Sequence, residues 1–217
     1  MQTELGNGYS TISNAWALGI MPSRLAFDIG ANVGTKTQEL LAAGYDQVVA
    51  VEPLYESRYP ADPRVIWIKS LVSNSTEPRQ IFPAGTISTV ERDFMQGRFK
   101  GYTWGSPITC PATTISNLID AYGVPDYIKI DVESHEKFVL MGLPSPCPVP
   151  LLAFEWSEEH RDDAFQCVSI LESLGYREFA LQFEDAGVLP PSNWLTVDQL
   201  KVAFDDLCAT KPLAWGM

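Results

Sequence analysis

The chain has 217 residues and a 46% hydrophobic share, enough for one α/β domain with a sizeable core. Its net charge of −12 and pI near 4.5 argue against a nucleic-acid partner, which needs clustered Lys and Arg; the most basic stretch is only Arg98-Phe99-Lys100. Four cysteines without Cys-x-x-Cys spacing, no apolar run near the roughly 20 residues of a spanning helix, and a start lacking signal-peptide regions predict a cytoplasmic protein with reduced cysteines, no zinc and no membrane contact.

Residues 1–23 are polar around one apolar anchor, Trp16-Ala17-Leu18, and read as an N-terminal arm. A strand over 24–29 leads into a helix over 34–43 stopped at Gly44, and a second strand follows over 47–51. Two prolines keep 54–63 from forming a long helix, and 65–68 is the third strand. Residues 73–112 then break the rhythm as an irregular insertion. They predict a strand pair near 80–82 and 108–113, with 87–104 as either a substrate lid or a plain surface loop. The aromatics between could stack on a sugar or form a local core. A short helix carries Ile115, Leu118, Ile119 and Tyr122 on one face. A strand over 127–132, a helix over 134–141, a connection with four prolines and a strand over 151–156 follow. The remainder predicts a helix over 157–174, a sixth strand over 178–183, and a last helix opened by the Thr196/Gln199 capping box, with Val197, Leu200, Phe204 and Leu207 on its apolar face. This alternation implies an α/β fold with a doubly wound, mostly parallel sheet in a single domain.

Chemistry gathers where strands end. Phe27-Asp28-Ile29-Gly30-Ala31-Asn32-Val33-Gly34 closes the first strand, and Val51-Glu52-Pro53 closes the second. Asp131 and Glu155 close two later ones. Four carboxylates at one sheet edge mark a ligand pocket, because ligands bind at the carboxyl ends of strands at a switch point. A dinucleotide turn wants Gly-x-Gly-x-x-Gly for a pyrophosphate. Here Ala31 and Asn32 fill the middle, and Asp28 would repel a phosphate and attract an ammonium. S-adenosylmethionine has an ammonium, a sulfonium and a ribose diol, for which Glu52 is a bidentate acceptor. It is therefore the expected cofactor ahead of NAD.

These segments, with Thr113-Thr114-Ile115 and Ile128-Lys129-Ile130-Asp131-Val132-Glu133, resemble FkbM-type methyltransferases over roughly residues 24–160. The resemblance implies a class I, Rossmann-like methyltransferase fold, S-adenosylmethionine as donor, and hydroxyl acceptors on sugars or small natural products. Carried over by motif, Asp28, Gly30, Asn32 and Gly34, with Ala31 between them, line the methionine and ribose side. Glu52, followed by Pro53, holds the ribose; Ser70 and Leu71 border the adenine; Asp131 faces the methionine or the reacting methyl. The family pattern has Gly-Ala-Glu after the acidic pair where this chain has Ser134-His135-Glu136, which narrows that corner.

Methyl transfer to oxygen needs alignment and a proton acceptor. The candidates are Asp131, Glu155 and His135. A histidine opening a helix is disfavoured as a cation by the helix dipole; the plainer reading of His135 is an exposed helix start. His160, in Glu158-Glu159-His160-Arg161-Asp162-Asp163, reads as part of a solvated charged face. Glu133 reads as a capping or orienting residue. Asp131 and Glu155 could also hold a divalent metal with an acceptor diol, although nothing in the sequence requires one. The competing classes are an NAD-dependent oxidoreductase or epimerase, and a domain that binds cofactor without transfer.

Overall fold

In the computed structural model, which describes residues 24–96, 99–183, 194–211 and 214–217, the first βαβ unit forms as the sequence suggests. The arm expected over 1–23 lies outside the described residues. Strand β1 (Leu25–Ile29) enters helix α1 (Thr35–Ala42), which returns to β2 (Gln47–Val51) and then β3 (Val65–Ile68). The insertion is flanked by β4 (Leu71–Val72) and holds β5 (Arg79–Ile81) and β6 (Ile108–Cys110), with β7 (Ala112–Thr113) at its far end. The β5–β6 pair is antiparallel at the expected position, and β4 pairs with β7, so the two ends of the insertion meet. Helix α2 (Ile115–Tyr122), capped by the Thr114 side chain, leads to β8 (Tyr127–Ile130) and helix α3 (Glu136–Met141).

The central sheet runs β3-β2-β1-β8-β9, with β9 at Leu152–Phe154, and every pair is parallel. Strand order reverses between β1 and β8, which makes a switch point there. One face packs Ala26, Val48 and Tyr127 against Leu40 and Leu41 of α1. The other packs Phe27, Ile29, Val49 and Ile130 against α2, α3 and helix α4 (Arg161–Ser173). The sheet is thus covered on both sides, as a parallel sheet requires. Helix α5 (Val197–Thr210) opens with the predicted capping box. No helix among the described residues is long and apolar enough to cross a membrane.

The structure corrects four elements. The strand read over 178–183 does not join the sheet; Phe179 makes only an isolated bridge to Leu195. Its neighbouring backbone is taken elsewhere, Gln182 N–H donating to the Met217 carbonyl. The strand read over 151–156 breaks after Phe154, and β10 (Trp156–Ser157) leaves to pair with β11 (Trp215–Gly216). The helix read from 157 therefore starts later, after a 3₁₀ turn at Glu158–His160. Likewise α3 starts at Glu136 rather than at 134, because Glu133 and Ser134 have φ of 54° and 76°, outside helical geometry.

Candidate active site

Side chains alternate across a strand, and that parity decides the role of Asp28. Ala26 and Asp28 share the α1 face of β1. Asp28 is fully buried there, and Thr37 Oγ1 of α1 donates to its Oδ2 at 2.6 Å. On β8, Lys129 reaches the same layer. Its Nζ donates to the Gly30 carbonyl at 3.0 Å and lies 3.4 Å from Asp28 Oδ1 and 3.3 Å from Asp131 Oδ2. Burial alone would lower the ammonium pKa, but Asp131 and Asp28 outweigh it and raise it. Lys129 is therefore a locked cation joining the ends of β1 and β8. It was legible only as the lone charge in Tyr127-Ile128-Lys129-Ile130, since a fully buried charge demands partners.

The turn after β1 is built by the protein's own needs. Gly30 has φ of 75°, and a Cβ there would collide with the Asp131 carbonyl oxygen. The glycine is thus required by the neighbouring strand end. The amides of Gly30 and Ala31 donate to the Val51 carbonyl at 3.0 and 3.1 Å, and that of Gly34 to the Ala31 carbonyl at 2.8 Å. Asn32 N–H donates to Glu52 Oε2 at 3.0 Å. The turn has spent these amides internally and does not offer them to a pyrophosphate.

Glu52 is 6% exposed. Its Oε1 accepts the amides of Leu54 at 2.7 Å and Tyr55 at 3.1 Å. Burial raises its pKa, against the lowering effect of the three amides and Lys69. With three of about four lone-pair sites taken, Glu52 has room for one further donor, not the bidentate pair the sequence suggested.

A cavity of about 440 Å³ opens at this edge. Of the residues expected at a cofactor, Gly30, Ala31, Asn32, Glu52, Pro53, Leu71 and Asp131 line it, with Val72, Ile81 and Val90 adding apolar wall. Asp28, Gly34 and Ser70 do not. Asp28 is turned under α1 by strand parity. Gly34 is buried at the start of α1, and a Cβ there would lie 3.2 Å from Ser57 Oγ. Ser70 Oγ is drawn to the Leu71 and Pro111 carbonyls.

The far wall holds Asp131, Glu133, Glu155 and His135. One carboxylate oxygen each from Asp131, Glu133 and Glu155 lies within 4.8 Å of the others, a spacing that could hold a hard divalent cation. Burial, then Asp131, Glu133 and Glu136, push the Glu155 carboxyl well above the usual range, with Lys129 opposing. Glu136, beneath the loop, accepts Val132 N–H at 2.9 Å and is pushed up to about 7, chiefly by burial.

The histidines depart from their plainer readings. His135 is not an exposed helix start: it is 3% exposed, and both ring nitrogens have partners. His160 is half-buried and stacks on Phe94 at 5.7 Å, beside a separate cavity of about 30 Å³. The insertion aromatics Phe94, Phe99 and Tyr102 pack on one another at 4.8 and 5.4 Å, and none of them lines the large cavity. The aromatic that does face it beside Tyr55, Trp215, comes from β11, where no sequence signal pointed.

A switch-point cavity with an apolar side and an acidic residue ending the second strand is built to take a ligand at the carboxyl ends of the strands. The model of the methyltransferase FkbM domain matches residues 28–178, well over half of the chain. The chain belongs to the FkbM methyltransferase family. Neither a curated protein nor a solved structure matches it significantly. The FkbM match begins at Asp28 and takes in both strand-end turns, the insertion and the carboxylate wall. The five-stranded parallel sheet covered by helices is a Rossmann-like methyltransferase architecture.

Proposed function

We propose that the protein is an S-adenosylmethionine-dependent O-methyltransferase acting on a hydroxyl of a sugar, glycan or small natural product. The observation that carries the cofactor is the turn after β1: Gly30, Ala31, Asn32 and Gly34 donate their amides to Val51, Glu52 and Ala31, so a dinucleotide pyrophosphate would find no cradle there. When bound, S-adenosylmethionine would supply an electrophilic methyl on a sulfonium. Leu71, Val72 and Ile81 would cover its adenine, Glu52 would accept one ribose hydroxyl, and Asp131 would hold the ammonium.

Asp131, Glu133 and Glu155 give the other end of the cavity acceptors for hydroxyl hydrogens. Trp215 lines the same cavity, and an aromatic face together with acceptors suits a sugar ring. Glu155 would take the hydroxyl proton, because its burial among carboxylates raises its proton affinity above that of an ordinary carboxylate. The same three carboxylates would supply oxygen ligands if a divalent ion assists a diol acceptor. The unpaired cysteines suit a reducing cytoplasm.

Calorimetric titration with S-adenosylhomocysteine tests the root of this reading, with NAD as control. Micromolar affinity that Glu52→Ala weakens about tenfold, or about 1.4 kcal/mol, is expected. Preference for NAD, or no heat from folded protein, would overturn it.

A further inference from the structure

We infer that His135 is a positioning residue, clasped between Ser73 and Glu91 so that the insertion holds the acceptor-side wall of the cavity. The clasp stands on geometry alone; the word acceptor rests on the methyl-transfer reading above.

His135 Nδ1 lies 2.6 Å from Glu91 Oε1, and Nε2 lies 2.9 Å from Ser73 Oγ. The ring face stacks on Phe138 at 4.7 Å. An ionised carboxylate only accepts, so Nδ1 carries the proton. In the neutral ring the Nε2 lone pair then takes the Ser73 hydroxyl. No lone pair remains for a substrate proton, and Ser73 cannot relay one because it is fully buried. The Ser-His-Glu order resembles a hydrolytic triad in connectivity, but a buried hydroxyl meets no substrate. The one hydroxyl hydrogen of Ser73 is then committed to His135, and Asn74 Oδ1, 3.3 Å from Ser73 Oγ, accepts from Arg79 Nη2 at 2.9 Å instead.

A second stitch lies beside the first. Thr89 is fully buried, and its Oγ1 donates to the Glu133 carbonyl at 2.6 Å while accepting Glu91 N–H at 3.0 Å. Thr89 is itself fixed by a two-way backbone bridge to Phe82. Between the two stitches sit Glu133 and Ser134, both with positive φ. Left-handed conformation is unfavourable for such residues, so it persists only where surroundings impose it. The stitches impose it, and Glu133 keeps its place on the cavity wall through them. Residues 89–91 of the insertion therefore act as a fixed buttress of the site.

Imidazole nitrogen NMR tests the clasp directly, since the chain has only two histidines and His135→Asn assigns the pair. A ring protonated on Nδ1 near neutral pH is expected, with the Nε2 signal moved by Ser73→Ala and the Nδ1 signal by Glu91→Gln. A neutral ring protonated on Nε2, or an Nε2 signal indifferent to Ser73→Ala, would overturn it. Hydrogen exchange supplies the second arm. Glu91→Gln and His135→Asn should each speed amide exchange about tenfold or more at 89–91 and 133–134 together, with S-adenosylhomocysteine affinity of Glu91→Gln held within about twofold. Faster exchange confined to one segment would also overturn the clasp. A wild-type protein that fails to bind S-adenosylhomocysteine would sink the methyltransferase reading, while the NMR and the coupled exchange still judge the clasp.

Discussion

The two loops that shape the cavity solve the same problem by different means. The turn after β1 takes its partners from its own βαβ unit: Val51, Glu52 and Ala31 accept its amides, all within about one crossover. The loop after β8 takes its partners from the insertion, Thr89 meeting Glu133 and Glu91 meeting His135 across 44 residues each. The first turn uses glycine for two of its three positive-φ positions, while the second places Glu133 and Ser134 there. A locally closed turn can hold a common cofactor with a short motif. A loop held from outside can change with the segment that holds it, which is what an acceptor site needs.

Lys129 ties the two together through Asp28, the Gly30 carbonyl and Asp131, and removing it should have the largest effect. Lys129→Met leaves Asp28 buried without a counter-charge, and a loss of about 3–5 kcal/mol in urea denaturation is expected. Adding Asp28→Asn should restore a good part of it. A loss under about 1 kcal/mol would mean that the loops are held independently.

Glu136 sharpens the contrast through pH. The folded state holds its proton up to about pH 7, the unfolded chain only to about 4.5. Between these values the native state binds more protons, so the stabilisation from this group is full below about pH 4.5, falls as pH rises, and is lost near 7. The fall from this group is at most about 3 kcal/mol. Glu136→Gln keeps an acceptor for Val132 N–H and should flatten the slope of stability across that window. Glu155, raised in the same direction, should leave a residual slope. An unchanged profile in the Gln variant would remove Glu136 as the source.

The smallest effect compares the loops residue for residue. Ser134→Gly relieves left-handed strain at the cost of a freer unfolded chain, for a net gain of about 0.5–1 kcal/mol. Asn32→Gly should gain little, because asparagine tolerates that conformation. Equal gains at both sites in thermal denaturation would erase the distinction between a relaxed turn and an imposed one.

The sequence by itself determined the strand-helix order through β3, the parallel sheet, the edge where ligand groups collect, and the placing of the first turn beside Glu52. These rest on short-range pattern: apolar runs, glycines at tight turns and a crossover of fixed length. Tertiary structure alone decided which strand-end carboxylates face the cavity. Parity sent Asp28 under α1 to meet Thr37 and Lys129, while Asp131 and Glu155, just past their strands, stayed on the wall. It also decided that the segment over 178–183 would meet Leu195 and Met217 instead of β9, that Trp215 would reach the cavity, and that His135 would find Ser73 and Glu91. Each of those outcomes depends on a partner in another element, and a pattern read along the chain has no term for a contact that only folding creates.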